Sequence, residues 1–391
     1  MARRIVIFAN NDFTLRKAGS HQRMADLATL VEDNFGDGIV YGFHEHSEDP
    51  WDDAAAARFA VQYPRLTLVR DHNGSKLARF TKLKTVSLNL MPSRTADILR
   101  WHLPNATPNW DRIRRDAAHH LVIVHWVDGA AWLNGLPDGP FWVESHDVKF
   151  LKHAKRTGEK IHSASVSRRM RGEAAVLAAS SGIVAISPVD HAILGALAPG
   201  VPNFYVPSHL GACEALASPA EPAFAHDLLF VGSGNAFNVQ GLSDFIERNA
   251  AWLNTKAFAV AGSVSADPRV QAALAQVPAA AVLGFVDDLK PVYDASRVVI
   301  SPVDGTGLKI KVIEALQHGK PVFGSRHSRD SLPPGFADCV FDLDPAAIDA
   351  LLADEAKLAQ AMAAARAYYR TIGAAGDREA FLAELRRQVE S

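Results

Sequence analysis

The sequence predicts an α/β protein of two doubly wound, parallel-sheet domains, and three observations carry that expectation. At 391 residues the chain is long enough for two cores rather than one. Short apolar, β-branched runs of strand length alternate with stretches of helical periodicity, the rhythm of sheets covered by helices on both faces. Between the two series lies Glu214 to His226, where Ala217, Ser218, Pro219, Ala220 and Pro222 form the most linker-like stretch. The expected division is residues 1–210, residues 211–375 and a closing helix in 376–391.

Composition narrows the class. Hydrophobic residues make up 48% and charged residues 21%, ordinary for a folded globular chain. Lys and Arg total 41 against 43 Asp and Glu, so no global field recruits nucleic acid. Cys213 and Cys339 are too few for a disulfide scaffold and wrongly spaced for a zinc site, which suits a reducing cytoplasm. The run Ile5 to Ala9 is too short for a signal-peptide core, and no stretch of about 18 apolar residues suggests a membrane span.

In chain order, Ile5 to Ala9 is a buried strand, and a polar loop from Asn10 to Gly19 leads to a helix with Ser20 as a fair N-cap and Arg23 in its first turn. Strands at Ile39–Tyr41 and Leu66–Val69 flank the helical stretch Asp53–Val61. His44 and His46 share a side of an extended segment, but no third ligand is in view and no metal is expected there. From Lys76 to Arg100 six basic residues interleave with Leu77, Phe80, Leu83, Val86 and Leu90, a pattern suited to a solvated basic helix or to peripheral contact with an anionic membrane. Asn105-Ala106-Thr107 fits a glycosylation sequon that has no meaning in a cytoplasmic protein. Leu121 to His125 and Phe141 to Asp147 are strands, each delivering a histidine at the C-terminal edge where ligands of open α/β sheets gather. His119 and His120 belong to the preceding helix. A helix from Ser165 to Ala179 containing Glu173 precedes the strand Ile183–Ser187, and Asn203–Pro207 leaves the first domain.

The second domain opens with Leu228 to Val231 running into Gly232, Ser233, Gly234 and Asn235. Position 237 is Phe, so the third glycine of a dinucleotide fingerprint is missing, while backbone approach to a nucleotide stays open. Ala257–Ala261, Ala281–Phe285 and Val298–Ile300 complete the strands, and helices follow at Ala346–Leu352, Ala356–Tyr369 and Arg378–Val389.

The richest stretch runs from Ser301 to Phe323 as strand, tight turn, helix and strand. Gly305 and Gly307 permit a sharp turn and close approach of a ligand, and Thr306 is a candidate helix cap. Leu308, Val312, Ala315 and Leu316 share an apolar stripe, whereas Lys311, Glu314 and His318 recur on another face open to a ligand. A helix start favours an anion such as phosphate beside Gly305 to Leu308, with Lys309 or Lys311 adding charge. Glu314, two turns further in, suits the hydroxyls of a neutral diol such as a nucleotide ribose. The competing reading is an exposed Lys311–Glu314 pair worth a few tenths of a kcal/mol.

Gly305-Thr306-Gly307-Leu308-Lys309-Ile310-Lys311-Val312-Ile313-Glu314-Ala315, followed by Gly319-Lys320-Pro321-Val322, resembles the donor-binding motif of retaining GT-B glycosyltransferases of the large group 1 family. The resemblance implies two Rossmann-like domains facing across a cleft, donor on the C-terminal one and acceptor on the N-terminal one, with the last helix returning to brace the first domain. It implies that Glu314 holds the donor ribose, that His146 of the His146-Asp147 pair contacts the donor sugar or phosphate, and that Gly19 and Ser20 belong to a flexible loop over the donor phosphates. Gly284 to Leu289 resembles the turn that meets the nucleobase.

The chain departs from the family in three places. Thr306 stands where many members carry an acid, Ser233-Gly234-Asn235 where many carry an Arg and a Lys, and Pro207-Ser208-His209 where Pro-Asn-Gly is usual. The expected activity is metal-independent transfer of a sugar from a nucleotide-diphosphate sugar, without a cofactor, to a glycan or lipid-linked acceptor. The expected setting is polysaccharide biosynthesis in the cytoplasm or at the inner membrane face. Thr306 and the missing Arg–Lys clamp motivate one rival, a non-catalytic nucleotide-sugar-binding scaffold, and a second rival on the same architecture is a sugar-nucleotide epimerase.

Overall fold

The structure, a computed structural model, describes residues 3–9, 11–44, 49–72, 108–127, 139–208 and 224–391. The basic stretch 76–100, the segment 45–46, the sequon 105–107 and most of the linker lie outside the described residues. The chain divides into two compact units, Met1–Pro207 with Gly376–Ser391, and Ser208–Ala375.

The first unit is built on a seven-stranded parallel sheet of β1 (Arg4–Ala9), β2 (Gly38–His44), β3 (Leu66–His72), β4 (His120–His125), β5 (Phe141–Ser145), β6 (Gly182–Ala185) and β7 (Asn203–Tyr205). The spatial order is β3-β2-β1-β4-β5-β6-β7, with Val6 beside both Ile39 and Val122. Strand period two explains the two cores: Ile5, Ile7 and Ala9 enter one cluster with Met24 and Trp142, and Val6 and Phe8 enter the other with Val124 and Val143. His120 opens β4 and does not belong to the preceding helix, because its backbone pairs with Arg4 in the sheet.

The helix Arg378–Glu390 completes the first of these cores. Phe381 is fully buried with its ring 5.4 Å from that of Trp142, and Trp142 Nε1 donates to Gln388 Oε1 at 2.8 Å. The turn into that helix is tied down as Tyr205 N donates to Asp377 Oδ2 at 2.9 Å. Gly376 is required there, since a Cβ would sit 2.3 Å from Pro207 Cδ.

The second unit carries a six-stranded parallel sheet of β8 (His226–Val231), β9 (Phe258–Ala261), β10 (Ala281–Gly284), β11 (Ser296–Ser301), β12 (Val322–Gly324) and β13 (Val340–Asp342), in the order β10-β9-β8-β11-β12-β13. Leu228 and Phe230 face one apolar cluster, Leu229 and Val231 the other. Chain order reverses direction between β8 and β11. Such a switch point opens a crevice at the strands' C-terminal ends, where doubly wound sheets take their ligands. No helix among the described residues is long and apolar enough to cross a membrane.

Candidate functional site

In the second unit two segments meet at that switch point, the Gly232–Asn235 turn after β8 and the Pro302–Lys309 loop after β11. A Cβ on Gly241 would lie 2.5 Å from the Pro302 carbonyl oxygen, so the helix Ala236–Leu253 packs against the loop with no room for a side chain there. Gly307 has φ 68°, the left-handed conformation glycine tolerates. The following helix starts at Ile310 and its N-cap is Lys309, whose side chain makes no capping bond. Thr306 therefore does not cap the helix. The chain is still turning through Gly307 when it passes that residue, and Thr306 Oγ1 has no hydrogen-bond partner among the described residues.

The helix face expected to stand open is occupied by neighbours from its own unit. Lys311 Nζ donates to Asn238 Oδ1 at 2.7 Å and lies 4.2 Å from the Phe230 ring centroid, tying the first turn of helix Ile310–Gln317 to that of helix Ala236–Leu253 and to β8. Tyr293, fully buried, donates its hydroxyl to Glu314 Oε2 at 3.0 Å, and its ring stacks on His318 at 4.6 Å. Lys309 folds back, donating to the carbonyls of Thr306 at 2.7 Å and Gly307 at 3.1 Å. Burial, with repulsion from Lys309, lowers Lys311 to about 7, and burial raises Glu314 from its ordinary value despite the opposing Tyr293 hydrogen bond and the Lys311 charge.

Gly232 and Ser233 belong to this turn, but part of their polar backbone is committed. Gly232 N donates to the Ala261 carbonyl at 3.0 Å, and the Ser233 carbonyl accepts from Asn238 Nδ2 at 2.8 Å. Gly262, with φ 99°, completes the edge: a Cβ there would fall 2.2 Å from the Gly232 oxygen. Sequence reasoning missed Gly262 and Tyr293. The Ala-Gly-Ser ending of β9 was a signal for the first, and nothing local marks the second.

In the first unit, Gly19 and Ser20 form the opening turn of the helix Gly19–Phe35. Ala18 is the N-cap and its carbonyl accepts from Gln22 N at 3.1 Å, so Ser20 does not cap the helix and the two residues are helical instead of part of a flexible loop. Arg23, one turn in, is buried and donates from Nε to Glu144 Oε1 at 2.6 Å.

Glu144 is itself fully buried near the end of β5, and its Oε2 lies 2.8 Å from His125 Nδ1 and 2.5 Å from His146 Nε2. The expected strand-end histidines are thus brought together, around a glutamate that sequence reasoning passed over. Burial pushes the Glu144 carboxyl up, but His146, Arg23 and the imidazole hydrogen bonds outweigh it and hold it well below its ordinary range. Burial lowers His146 against the pull of Glu144. Trp126 adopts φ 56°, a strained conformation for an aromatic residue, and sets its ring 4.2 Å from that of His146. The nitrogen and oxygen atoms of His125, Glu144 and His146 lie within 4.8 Å of one another, close enough to consider a metal ion. The Arg23 guanidinium already balances the one negative charge among them, so the set fits a cation poorly.

Residues 225–367, most of the second unit, match the family model described as Glycosyl transferases group 1. No curated protein matches the chain. Among solved structures, the fold is similar to that of a variant of S. aureus TarM (TM-score 0.65, 9% identity, 100% of both chains). It is also similar to sucrose-phosphate synthase from Thermosynechococcus elongatus (0.66, 14%, 99% of both chains) and to Anabaena HepE (0.63, 11%, 99% of both chains). At these identities the likeness establishes the architecture: two Rossmann-like units of GT-B type.

Proposed function

We propose that this chain is a group 1 glycosyltransferase that takes its sugar from a nucleotide-diphosphate sugar and passes it to a glycan or lipid-linked acceptor, with retention of configuration and without a metal or cofactor. The observation that carries the donor site is the Gly305–Glu314 segment at the β8/β11 switch point, with Glu314 fixed by Tyr293. A carboxylate held by one donor keeps further lone pairs for the two hydroxyls of a ribose. The matching TarM structure was solved with UDP and α-GlcNAc-glycerol, and HepE with UDP and glucose, which favours a nucleoside diphosphate as the leaving group here too.

As the glycosidic bond breaks, negative charge develops on the diphosphate. Preorganised N–H groups at the start of helix Ile310–Gln317, with Lys309 and Lys311, supply the compensating field. Lys311 at about 7 is protonated more fully once a diphosphate binds, since an adjacent anion favours the charged form. His146 serves the donor sugar. Thermal shifts with UDP, GDP, ADP, dTDP and CMP on wild type and Glu314→Ala test the reading. A ligand at about 100 times its dissociation constant adds about 2.7 kcal/mol. Stabilisation by one nucleotide, lost in the variant, supports the donor site, and silence with all five refutes it.

Release of the sugar to water or acceptor separates an enzyme from a scaffold. Incubation with UDP-glucose, UDP-GlcNAc and GDP-mannose should yield free nucleoside diphosphate, and His146→Ala should slow that release more than it weakens binding. Binding without release would favour the scaffold, and interconversion of donors without release would favour an epimerase. A surface-polysaccharide pathway and peripheral membrane contact through 76–100 belong to the same proposal.

A further inference from the structure

The buried quartet Arg23, His125, Glu144 and His146 fixes more than a fold contact. We propose that Glu144 is a positioning residue that holds the proton of His146 on Nε2, leaving Nδ1 as a hydrogen-bond acceptor for a sugar hydroxyl instead of a cation for a phosphate. The ligand part of this inference rests on the reading that His146 meets the donor sugar; the tautomer part does not.

Arg23 donates to Glu144 Oε1 at 2.6 Å and neutralises it, so the carboxylate is ionised and accepts only. Two imidazole nitrogens approach the other oxygen, Oε2, at 2.5 and 2.8 Å, while standing 3.2 Å from each other. A ring nitrogen that turned its lone pair toward an ionised oxygen at these distances would repel it. Both nitrogens therefore carry hydrogen, and the 3.2 Å separation is that of two donors converging on one acceptor.

The tautomers follow: Nδ1–H on His125 and Nε2–H on His146. The remaining His125 nitrogen, Nε2, is buried without a partner among the described residues, so nothing there competes for the proton. The charge balance agrees, since one arginine and one glutamate cancel and a proton added to either imidazole would be a buried charge without a counter-ion. A neutral imidazole with a lone pair on Nδ1 accepts from a hydroxyl. A phosphate oxygen, with no proton to give at neutral pH, is a poor partner for it. Glu144 touches no ligand in this scheme and acts only through His146.

Two-bond proton–nitrogen NMR of protein labelled with 15N-histidine reads the tautomer directly, with the His146 signals identified by their absence in His146→Ala. At pH 7.5 the wild type should show His146 as a neutral Nε2–H ring. Glu144→Gln, whose amide can donate as well as accept, should shift His146 toward the Nδ1–H form. Should that variant fail to fold, Arg23→Met combined with Glu144→Leu removes both buried charges at similar volume and should leave His146 an average of the two tautomers.

An Nδ1–H ring or an imidazolium in the wild type would overturn the assignment, as would an unchanged tautomer in both variants. A joint shift of His125 and His146 on adding one equivalent of zinc would instead make the cluster a metal seat. If the tautomers are as assigned but His146→Ala releases nucleoside diphosphate from the three donors at the wild-type rate, the hydroxyl role falls and the Glu144 role stands. If release slows about tenfold or more in Glu144→Gln while donor KM is nearly unchanged, both stand.

Discussion

The contact between Tyr293 and Glu314 gives a prediction that can be worked from the structure. Tyr293→Phe deletes one oxygen and nothing else: the ring stays fully buried and stacked on His318, while Glu314 Oε2 loses a donor at 3.0 Å. Hydrogen bonds to a charged acceptor contribute about 1.5–3 kcal/mol, so the transition of the C-terminal unit should fall by about 3–10 °C. A double-mutant cycle with Glu314→Ala isolates the bond from the burial of either side chain. Urea unfolding of the wild type, both single variants and the double variant should give a coupling of about 1.5–3 kcal/mol. Additivity within about 0.5 kcal/mol would refute the claim that Tyr293 fixes Glu314. Nucleotide binding provides a second readout, because a carboxylate freed from Tyr293 samples more orientations and should bind a ribose several-fold more weakly.

Other expectations bear on both units. Removing Arg23 or Glu144 alone strands a buried charge and should cost about 3–5 kcal/mol in urea unfolding, whereas Arg23→Met with Glu144→Leu should cost less than either single change. Lys311 sits at about 7 in the folded state against 10.5 unfolded, so unfolding takes up a proton across that window and stability should rise with pH through it. Burial lowers Lys320 to about 8 and adds to the slope above that value, so Lys311→Met should flatten the segment between about 7 and 8, while diphosphate affinity, for which the proposed donor site uses the protonated amine, should fall over the same range in wild type only. Phe381→Ala should cost the N-terminal unit about 3–5 kcal/mol, because the ring fills the space beside Trp142 and Phe204.

Much of this was legible in the sequence, for reasons particular residues make plain. Ile5 to Ala9 and Leu228 to Val231 are short continuous apolar runs, and their length and β-branched or aromatic content suit a strand buried on both faces. The spacing of Gly305, Gly307 and Glu314 survived as a turn and a helix. The helix nonetheless begins at Ile310, because Gly307 at positive φ holds the chain in a turn that cap signals at Thr306 do not encode. Glu144 was invisible for a different reason: a charged residue inside a buried strand is intelligible only with its partner, and Arg23 lies 121 residues away. Tyr293 likewise acts on Glu314 from the other end of a β-strand, a relation no local period reports.

The most direct test of the account is whether Glu314 holds a ribose. Isothermal titration of wild type and Glu314→Ala with UDP, GDP and ADP, each beside its 2′-deoxy counterpart, measures that contact. The account predicts that one base binds, that the 2′-deoxy form binds wild type about 1–2 kcal/mol more weakly, and that Glu314→Ala no longer distinguishes the two. Equal binding of the two forms by wild type, or discrimination that persists in Glu314→Ala, would contradict it.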